Sequence, residues 1–139
     1  MKFAVVIPAW NRAALVQLAL DSVAAQQRLP DRVVVVDDGS TDGTADAVEH
    51  WRQRANPVFR LDCIRQTNAG ASAARNTGIL AADDCTHIAF LDSDDLWTPD
   101  KLEACLAVAD DGVDLVSHPE SFLKDGAVVN ATPPSPAER

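Results

Sequence analysis

Short runs rich in apolar residues recur along this chain, and four of them are followed by a stretch whose apolar residues repeat every three or four positions. The runs at 3–7 and 32–36 are typical of strands that are buried on both faces of a parallel sheet. Together the runs predict five strands, at residues 3–7, 32–36, 58–64, 86–91 and 113–116. A weaker pattern at 121–129, centred on Asp125-Gly126, predicts a hairpin.

The segments between these runs predict helices with one apolar face each. Asn11 is expected to cap the first helix and Thr98 the last, with Pro99 at the first helical position. The predicted buried faces are Leu15, Leu18, Ala19 and Val23 in the first helix, Val48, Trp51 and Ala55 in the second, Ala74, Gly78 and Ala81 in the third, and Leu102, Leu106 and Ala109 in the fourth.

The alternation of strands and helices predicts the fold class. Strands buried on both faces require helices on both sides of the sheet. A helix that connects two such strands crosses over the sheet, so that the second strand runs parallel to the first. We therefore expect an α/β fold with a mostly parallel, doubly wound sheet and helices on both faces. Residues 1–130 are expected to form one domain, and residues 131–139, which include three prolines, a disordered tail.

Charge and cysteine usage exclude several classes of protein. The 139 residues carry a net charge of −9 and the pI is near 4.5, which argues against a nucleic-acid partner. The three cysteines form no C-x-x-C pair and do not have the spacing of zinc ligands. An odd number of cysteines without a pattern is typical of a cytosolic protein whose thiols are reduced. No segment has the character of a signal peptide or a membrane span. We expect a cytoplasmic protein and leave open that a longer form binds peripherally to a membrane.

Polar residues cluster directly after four of the predicted strands, which is where ligands bind in a parallel sheet. Asp92, Ser93, Asp94 and Asp95 follow the fourth strand. Carboxylates this close repel one another, and a divalent cation relieves the repulsion. Oxygen ligands favour Mg²⁺, Mn²⁺ or Ca²⁺ over Zn²⁺, and Mg²⁺-like ions complete their shell with substrate phosphates. The alternative interpretation is a solvated acidic turn.

Two further clusters supply candidate contacts to a nucleotide. Asp37 and Asp38 follow the second strand, where a carboxylate can accept from a base N–H or a ribose hydroxyl, and the alternative is a simple turn. Gly70 leads into a helix of small residues whose first N–H groups can face an anion. Arg75, about one turn into that helix, is expected to pair with Asp38 or a phosphate, unless it is an ordinary surface arginine.

Four blocks of this sequence, in this order, resemble those of the family 2 glycosyltransferases. They are VVIPAWNR at 5–12, VDDGSTDGT at 36–44, NAGASAARN at 68–76 and LDSDD at 91–95. The resemblance implies a GT-A-type fold, a nucleotide-diphosphate sugar donor, often a uridine one, and Mn²⁺ or Mg²⁺. The candidate nucleotide-sugar contacts are then Pro8, Ala9, Asn11, Asp37, Asp38, Gly70, Arg75, Asp92 and Ser93, and the candidate metal ligands are Asp94 and Asp92.

The resemblance also implies an activity, the inverting transfer of a sugar to a hydroxyl of a saccharide or lipid-linked acceptor. Nothing after residue 116 resembles the family's acceptor region, so we expect a truncated chain with an unassigned catalytic base. Glu120 is not assigned as that base, and Glu120 or the Asp110-Asp111 pair would be the places to look only if the chain turned over donor robustly. A nucleotide-sugar-binding module without activity is one alternative. A phosphorelay receiver domain is another, although its acidic pair would follow the first strand. An exposed apolar sheet edge would favour self-association.

Overall fold

A four-stranded parallel sheet is the frame of the protein. The computed structural model describes residues 1–109, 112–118, 121–124 and 127–130. The strands of the sheet are β1 (Phe3–Ala9), β2 (Arg32–Asp37), β3 (Arg60–Arg65) and β4 (His87–Phe90). Their order in space is β3-β2-β1-β4, and all neighbours are parallel. The chain therefore builds outward from β1 to β3 and then places β4 on the other side of β1, which creates the reversal point at which such sheets bind ligands.

Three helices connect these strands, namely α1 (Ala13–Ala24), α2 (Thr44–Ala55) and α3 (Ala71–Ala81). Every residue of β1 and β2 is buried. Because successive residues of a strand point to opposite faces, both faces of the sheet must be covered. The predicted α/β, doubly wound fold class is thus confirmed. By its internal contacts the chain divides into two compact units, residues 1–102 and 103–139, and the sheet belongs to the first.

α3 lies unusually close to the sheet because its contact residues are small. One buried cluster consists of Ala4, Val34, Val36, Ala74 and Ala82. Gly78 of α3 faces Val6, and a Cβ atom at this glycine would collide with Cγ1 of Val6. Ala81 packs against the same cluster. The predicted small-residue face of α3 is confirmed, and it fixes where the first turn of this helix lies relative to the ends of the strands.

α1 buries a different stripe from the one predicted. Its buried residues are Val16, Ala19, Leu20 and Val23. They follow the i, i+3, i+4, i+7 spacing of one helix face, whereas Leu15 and Leu18 lie beside that face and are 42% and 50% exposed. In α2, Val48 and Trp51 are buried as predicted, but Ala55 at the last position is exposed.

Two strand predictions need correction. β3 begins at Arg60 rather than at residue 58, because Val58 is 86% exposed and outside the sheet. Residues 113–116 form no strand in the described part of the chain. This run is short, Asp114 interrupts it, and Leu115 is 86% exposed, so it lacks the burial that drives strand formation.

Both predicted caps are also wrong. Asn11 does not cap α1, since its backbone is left-handed, with φ 51°, and its side chain binds a neighbouring loop. α4 (Lys101–Val108) begins three residues after Thr98. Thr98 closes a turn instead, because its carbonyl accepts the N–H of Lys101 and its hydroxyl donates to Asp100.

The second unit contains the predicted hairpin. β5 (Ser121–Lys124) and β6 (Ala127–Asn130) pair antiparallel, although the Asp125-Gly126 turn between them lies outside the described residues. The tail predicted at 131–139 lies outside them too. Within the described residues, no helix combines the length and the apolar character needed to cross a membrane.

Candidate functional site

A cleft of about 450 Å³ opens at the carboxyl ends of the strands, at the reversal point beside β1. Its walls are Pro8, Ala9, Trp10, Arg12, Asp38, Asn68, Gly70, Ala71, Ala74, Arg75, Asp92, Ser93 and Asp94. The structure therefore brings together most of the residues predicted from the sequence, from segments that are far apart along the chain. Two predicted site residues, Asn11 and Asp37, do not line this cleft.

Asn11 ties the end of β1 to the loop that follows β2. Its side-chain oxygen accepts the N–H of Thr41 at 2.9 Å, and its own N–H donates to the hydroxyl of Ser40 at 2.9 Å. The carboxylate of Asp42 accepts the N–H of Ala13 at the start of α1. These bonds hold the turn from which Trp10 and Arg12 reach the cleft, so Asn11 shapes the site from outside its wall.

Asp37 points into the protein rather than into the cleft. It is fully buried, and its Oδ1 accepts the N–H of Ser40 at 2.9 Å, which closes the turn after β2. Oδ2 accepts no hydrogen bond from the described residues, and the nearest cation is Arg65, whose Nε lies 3.9 Å away. The side chain therefore stabilises the turn and has no open path to a ligand in the cleft.

Asp38, the next residue, holds the loop that leads into α3. Its Oδ1 accepts the N–H of Ala69 and the side-chain amide of Gln66, both at 2.8 Å. Its Oδ2 accepts the N–H of Gly70 at 2.9 Å and the side-chain amide of Asn68 at 3.2 Å. A carboxylate offers about four acceptor positions, so protein donors use essentially all of them.

These bonds keep Asp38 ionised. Burial by itself would raise the pKa of Asp38, but the hydrogen bonds from Gln66, Ala69 and Gly70 outweigh it, and the pKa lies below its ordinary value. At neutral pH the negative charge of Asp38 therefore lies next to the loop, where the carboxylate accepts the N–H groups of Ala69 and Gly70. Gly70 adopts φ 98°, a conformation that favours glycine.

The start of α3 forms the positive side of the cleft. Gly70 and Ala71 line it, and no described side chain caps this helix. The first intrahelical bond described there is from the N–H of Ala74 to the carbonyl of Gly70, so the N–H groups before it have no partner within the helix. Such a helix end attracts anions, because the unpaired N–H groups and the helix dipole act together.

The acidic side of the cleft is formed by Asp92 and Asp94, and each lies near an arginine. Arg75 Nη2 donates to Oδ1 of Asp92 at 2.7 Å, and Arg12 Nη2 is 4.0 Å from Oδ2 of Asp94. Of the two partners expected for Arg75, Asp38 is therefore wrong, and a phosphate stays a prediction. The reason is that the oxygens of Asp38 are already saturated, while Asp92 remains open to α3.

Asp92 and Asp94 suit a divalent cation that also takes ligands from a substrate. Their side chains are 49% and 52% exposed, so their oxygens can reach a bound ion. Among the described residues no group of three or more His, Cys, Asp and Glu side chains could hold a metal ion by itself. Mg²⁺-like ions commonly use only one or two carboxylates and complete the shell with water and phosphate oxygens. The donor set therefore fits Mn²⁺ or Mg²⁺ bound together with a phosphorylated ligand.

Comparison with known proteins identifies the family. A family model described as glycosyl transferase family 2 matches residues 4–129. The chain belongs to that family. This family 2 chain is 42% identical, over 103 residues, to the succinoglycan biosynthesis protein ExoW of Rhizobium meliloti. The match covers 73% of the chain and 32% of ExoW.

Two solved glycosyltransferases share the fold. S. aureus TarS, residues 1–349, in complex with UDP-GlcNAc is 34% identical, with a TM-score of 0.67 over 77% of this chain and 30% of that one. The mannosyltransferase PcManGT of Pyrobaculum calidifontis, in complex with GDP-Man and Mn²⁺, is 33% identical, with a TM-score of 0.72 over 81% of this chain and 33% of that one. The predicted GT-A-type fold is confirmed. The chain spans about one third of the length of these relatives.

The family 2 chain also has site residues that were not singled out in the sequence. Arg12 lines the cleft, and its place directly after β1 was an available signal. Gln66 was not detectable in this way. It is oriented by Thr77, whose hydroxyl donates to its side-chain oxygen at 2.6 Å, and this leaves its amide to donate to Asp38. The contact between Gln66 and Asp38 joins residues far apart in the chain, so no local sequence pattern predicts it.

Proposed function

We propose that this chain binds the nucleoside diphosphate of a sugar donor in the cleft. The protein then transfers the sugar, with inversion, to a hydroxyl of a saccharide or lipid-linked acceptor. One observation carries the proposal, namely that the cleft combines an uncapped helix start with two half-exposed carboxylates, Asp92 and Asp94. The helix start suits an anion, and the carboxylates suit a cation that bridges to the same anion. The complexes of TarS and PcManGT with nucleotide sugars support this assignment.

The walls of the cleft suggest how the donor lies. Pro8, Ala9 and Trp10 form an apolar and aromatic side for the base, which we propose to be uracil. The diphosphate faces Gly70, Arg75 and the neighbouring helix N–H groups, with Ser93 beside the two acidic residues. Asp38 acts at the nucleotide chiefly through the loop that it holds. Asn11 and Asp37, which do not line the cleft, are assigned an indirect role in shaping the loops after β1 and β2.

Asp92 and Asp94 would hold Mn²⁺ or Mg²⁺. When bound, such an ion supplies positive charge that stabilises a departing diphosphate. The chain's own groups act in the same direction. The N–H groups at the start of α3 and the guanidinium of Arg75 face the place where negative charge grows.

Inversion requires the acceptor hydroxyl to attack the anomeric carbon from the side opposite the diphosphate. The attack passes through an oxocarbenium-like state, as in glycoside hydrolysis. A carboxylate base takes the hydroxyl proton as the bond forms. Among the described residues that line the cleft, the carboxylates Asp38, Asp92 and Asp94 all have protein partners, and none is assigned as that base.

Nucleotide-sugar binding without transfer is the second candidate function. It is favoured by the absence of an assigned base among the described cleft residues. Glu120 and the Asp110-Asp111 pair, where a base was sought, lie outside the described residues. A transfer assay with a panel of acceptors, run beside a binding assay, separates the two functions.

Mapping of the donor site by NMR tests the proposal. Addition of UDP and Mg²⁺ should shift the amide resonances of Ala9, Gly70 and Ser93. A second, polar hollow, lined by Arg52 and Asn56 among others, provides an internal control, because its resonances should not move. Shifts confined to that hollow, or the absence of shifts at saturating UDP, would overturn the assignment of the cleft.

A further inference from the structure

Each carboxylate that the proposed function assigns to a metal ion lies near an arginine of the cleft. Arg75 makes a 2.7 Å hydrogen bond to Asp92, and Arg12 lies 4.0 Å from Asp94. We infer that Arg75 is a displaceable counter-cation, which neutralises Asp92 whenever no divalent ion is bound there and moves to the diphosphate when such an ion binds. This inference rests on the proposed function and adds a coupling between metal binding and nucleotide binding.

The contact between Arg75 and Asp92 has the character of an exchangeable pair. The two side chains are 35% and 49% exposed, and a single hydrogen bond between them is described. Exposed ion pairs contribute little net stability, so little is lost when the pair separates. A divalent ion on Asp92 would also place a double positive charge within a few ångströms of the guanidinium, and repulsion at this range favours departure of the arginine.

Arg75 has a second anionic group within reach, the proposed diphosphate at the start of α3. It lies on the first turns of α3, and both Arg75 and the helix start at Gly70 line the same cleft. A guanidinium that leaves Asp92 therefore remains next to the proposed position of the diphosphate, and arginine forms paired hydrogen bonds with phosphate oxygens. The movement exchanges one anionic partner for another without taking the side chain out of the site.

Arg12 is less suited to such an exchange. Its distance of 4.0 Å from Asp94 is too long for a hydrogen bond, and its Nη1 donates to the carbonyl of Asn11 at 3.3 Å. Arg12 therefore adds positive charge near Asp94 while remaining attached to its own loop. Arg75 is the side chain whose removal should change the affinity for a metal ion.

Mn²⁺ binding to the full chain, measured by the loss of the free-ion EPR signal, tests the inference. The proteins compared are the parent, Arg75→Gln, the charge-retaining Arg75→Lys, and Arg54→Gln, which removes the same charge from the last turn of α2. Without nucleotide, Arg75→Gln should bind Mn²⁺ about three- to tenfold more tightly than the parent, because the competing cation is gone. Arg75→Lys and Arg54→Gln should stay near the parent. With UDP present, the gain in Mn²⁺ affinity should be smaller in Arg75→Gln than in the parent.

The outcomes distinguish this inference from the proposed function. If UDP promotes Mn²⁺ binding in the parent but Arg75→Gln binds Mn²⁺ alone no more tightly, the displacement of Arg75 is wrong and the donor site stands. An equal gain in Arg54→Gln would show a general charge effect and would also overturn the inference. If Mn²⁺ binds to none of the four proteins, with or without UDP, then the metal site of the proposed function fails, and the inference fails with it.

Discussion

Replacing Asp38 by asparagine tests how the start of α3 is held in position. Asparagine keeps the shape of the side chain but replaces one acceptor oxygen by a donor. If its oxygen keeps the bonds from Gln66 and Ala69, its NH₂ group must face the N–H of Gly70 and the amide of Asn68, which are themselves donors. The bonds from Gly70 and Asn68 are then lost, and those from Gln66 and Ala69 have a neutral acceptor instead of a charged one.

The expected cost follows from these four bonds. Hydrogen bonds to a charged group contribute about 1.5–3 kcal/mol each, and neutral ones about 0.5–1.5 kcal/mol. Gly70 and Asn68 are exposed, so water can satisfy part of what they lose. We therefore expect Asp38→Asn to lower the free energy of unfolding by about 2–3 kcal/mol. With a urea m value of about 1.5 kcal/mol/M, the midpoint should fall by about 1.3–2 M.

Urea unfolding followed by circular dichroism measures this change, with Asp83→Asn as the control for an exposed aspartate. The control should change the free energy of unfolding by less than about 0.5 kcal/mol. A midpoint for Asp38→Asn equal to that of Asp83→Asn would refute the idea that Asp38 holds the loop.

The same comparison has a defined dependence on pH. Since the native pKa of Asp38 lies below its ordinary value, ionised Asp38 stabilises the native state above the ordinary carboxyl pKa. That stabilisation is lost as the pH falls through the native pKa. The difference in stability between the parent and Asp38→Asn should therefore be full at neutral pH and shrink in acid. A difference that grows in acid would contradict the assigned sign.

Three further predictions concern the cleft and its support. Asp94→Ala should abolish the effect of Mn²⁺ on UDP affinity, whereas Asp38→Ala should weaken UDP binding and retain the response to Mn²⁺, as calorimetry can measure. Gly78→Ala should lower the free energy of unfolding by about 1–2 kcal/mol, because overpacking against Val6 exceeds the gain in helix propensity. The loss caused by Gly78→Ala should be smaller when both proteins compared carry Val6→Ala, since the side chain that collides is then gone. The 139-residue chain with Mn²⁺ and a panel of acceptors should bind donor without multiple turnover, since no described residue of the cleft is assigned as the base and a positioned base contributes about 10²–10⁴-fold. Robust turnover would instead place the base within this chain.

The sequence predicts the frame of this protein well. The apolar runs of β1 and β2 are unambiguous because both strands are buried throughout. The small residues of α3 predict its close packing, and polar clusters after consecutive strands predict a shared edge. Strand ends and helix caps are less predictable, since residues such as Asn11 and Thr98 can hydrogen-bond to several nearby groups, and only the folded chain determines which.

The partners within the site could not be read from the sequence. Asp37 and Asp38 are neighbours of the same type, yet one is buried in a turn and the other holds the loop before α3. Which is which depends on where β2 ends. The partner of Arg75 depends in turn on where α3 lies on the sheet, and Gly78 of this helix packs against Val6 of β1.

We propose that the cleft binds a nucleoside diphosphate together with a divalent cation. Titration calorimetry of UDP into the parent chain, once with Mn²⁺ and once with a chelator in place of Mn²⁺, is the decisive experiment. The acidic chain and the carboxylates of Asp92 and Asp94 predict tight binding of UDP with Mn²⁺ and weak binding with the chelator. Equal affinity for UDP under the two conditions, or no binding in either, would show that the cleft is not such a site.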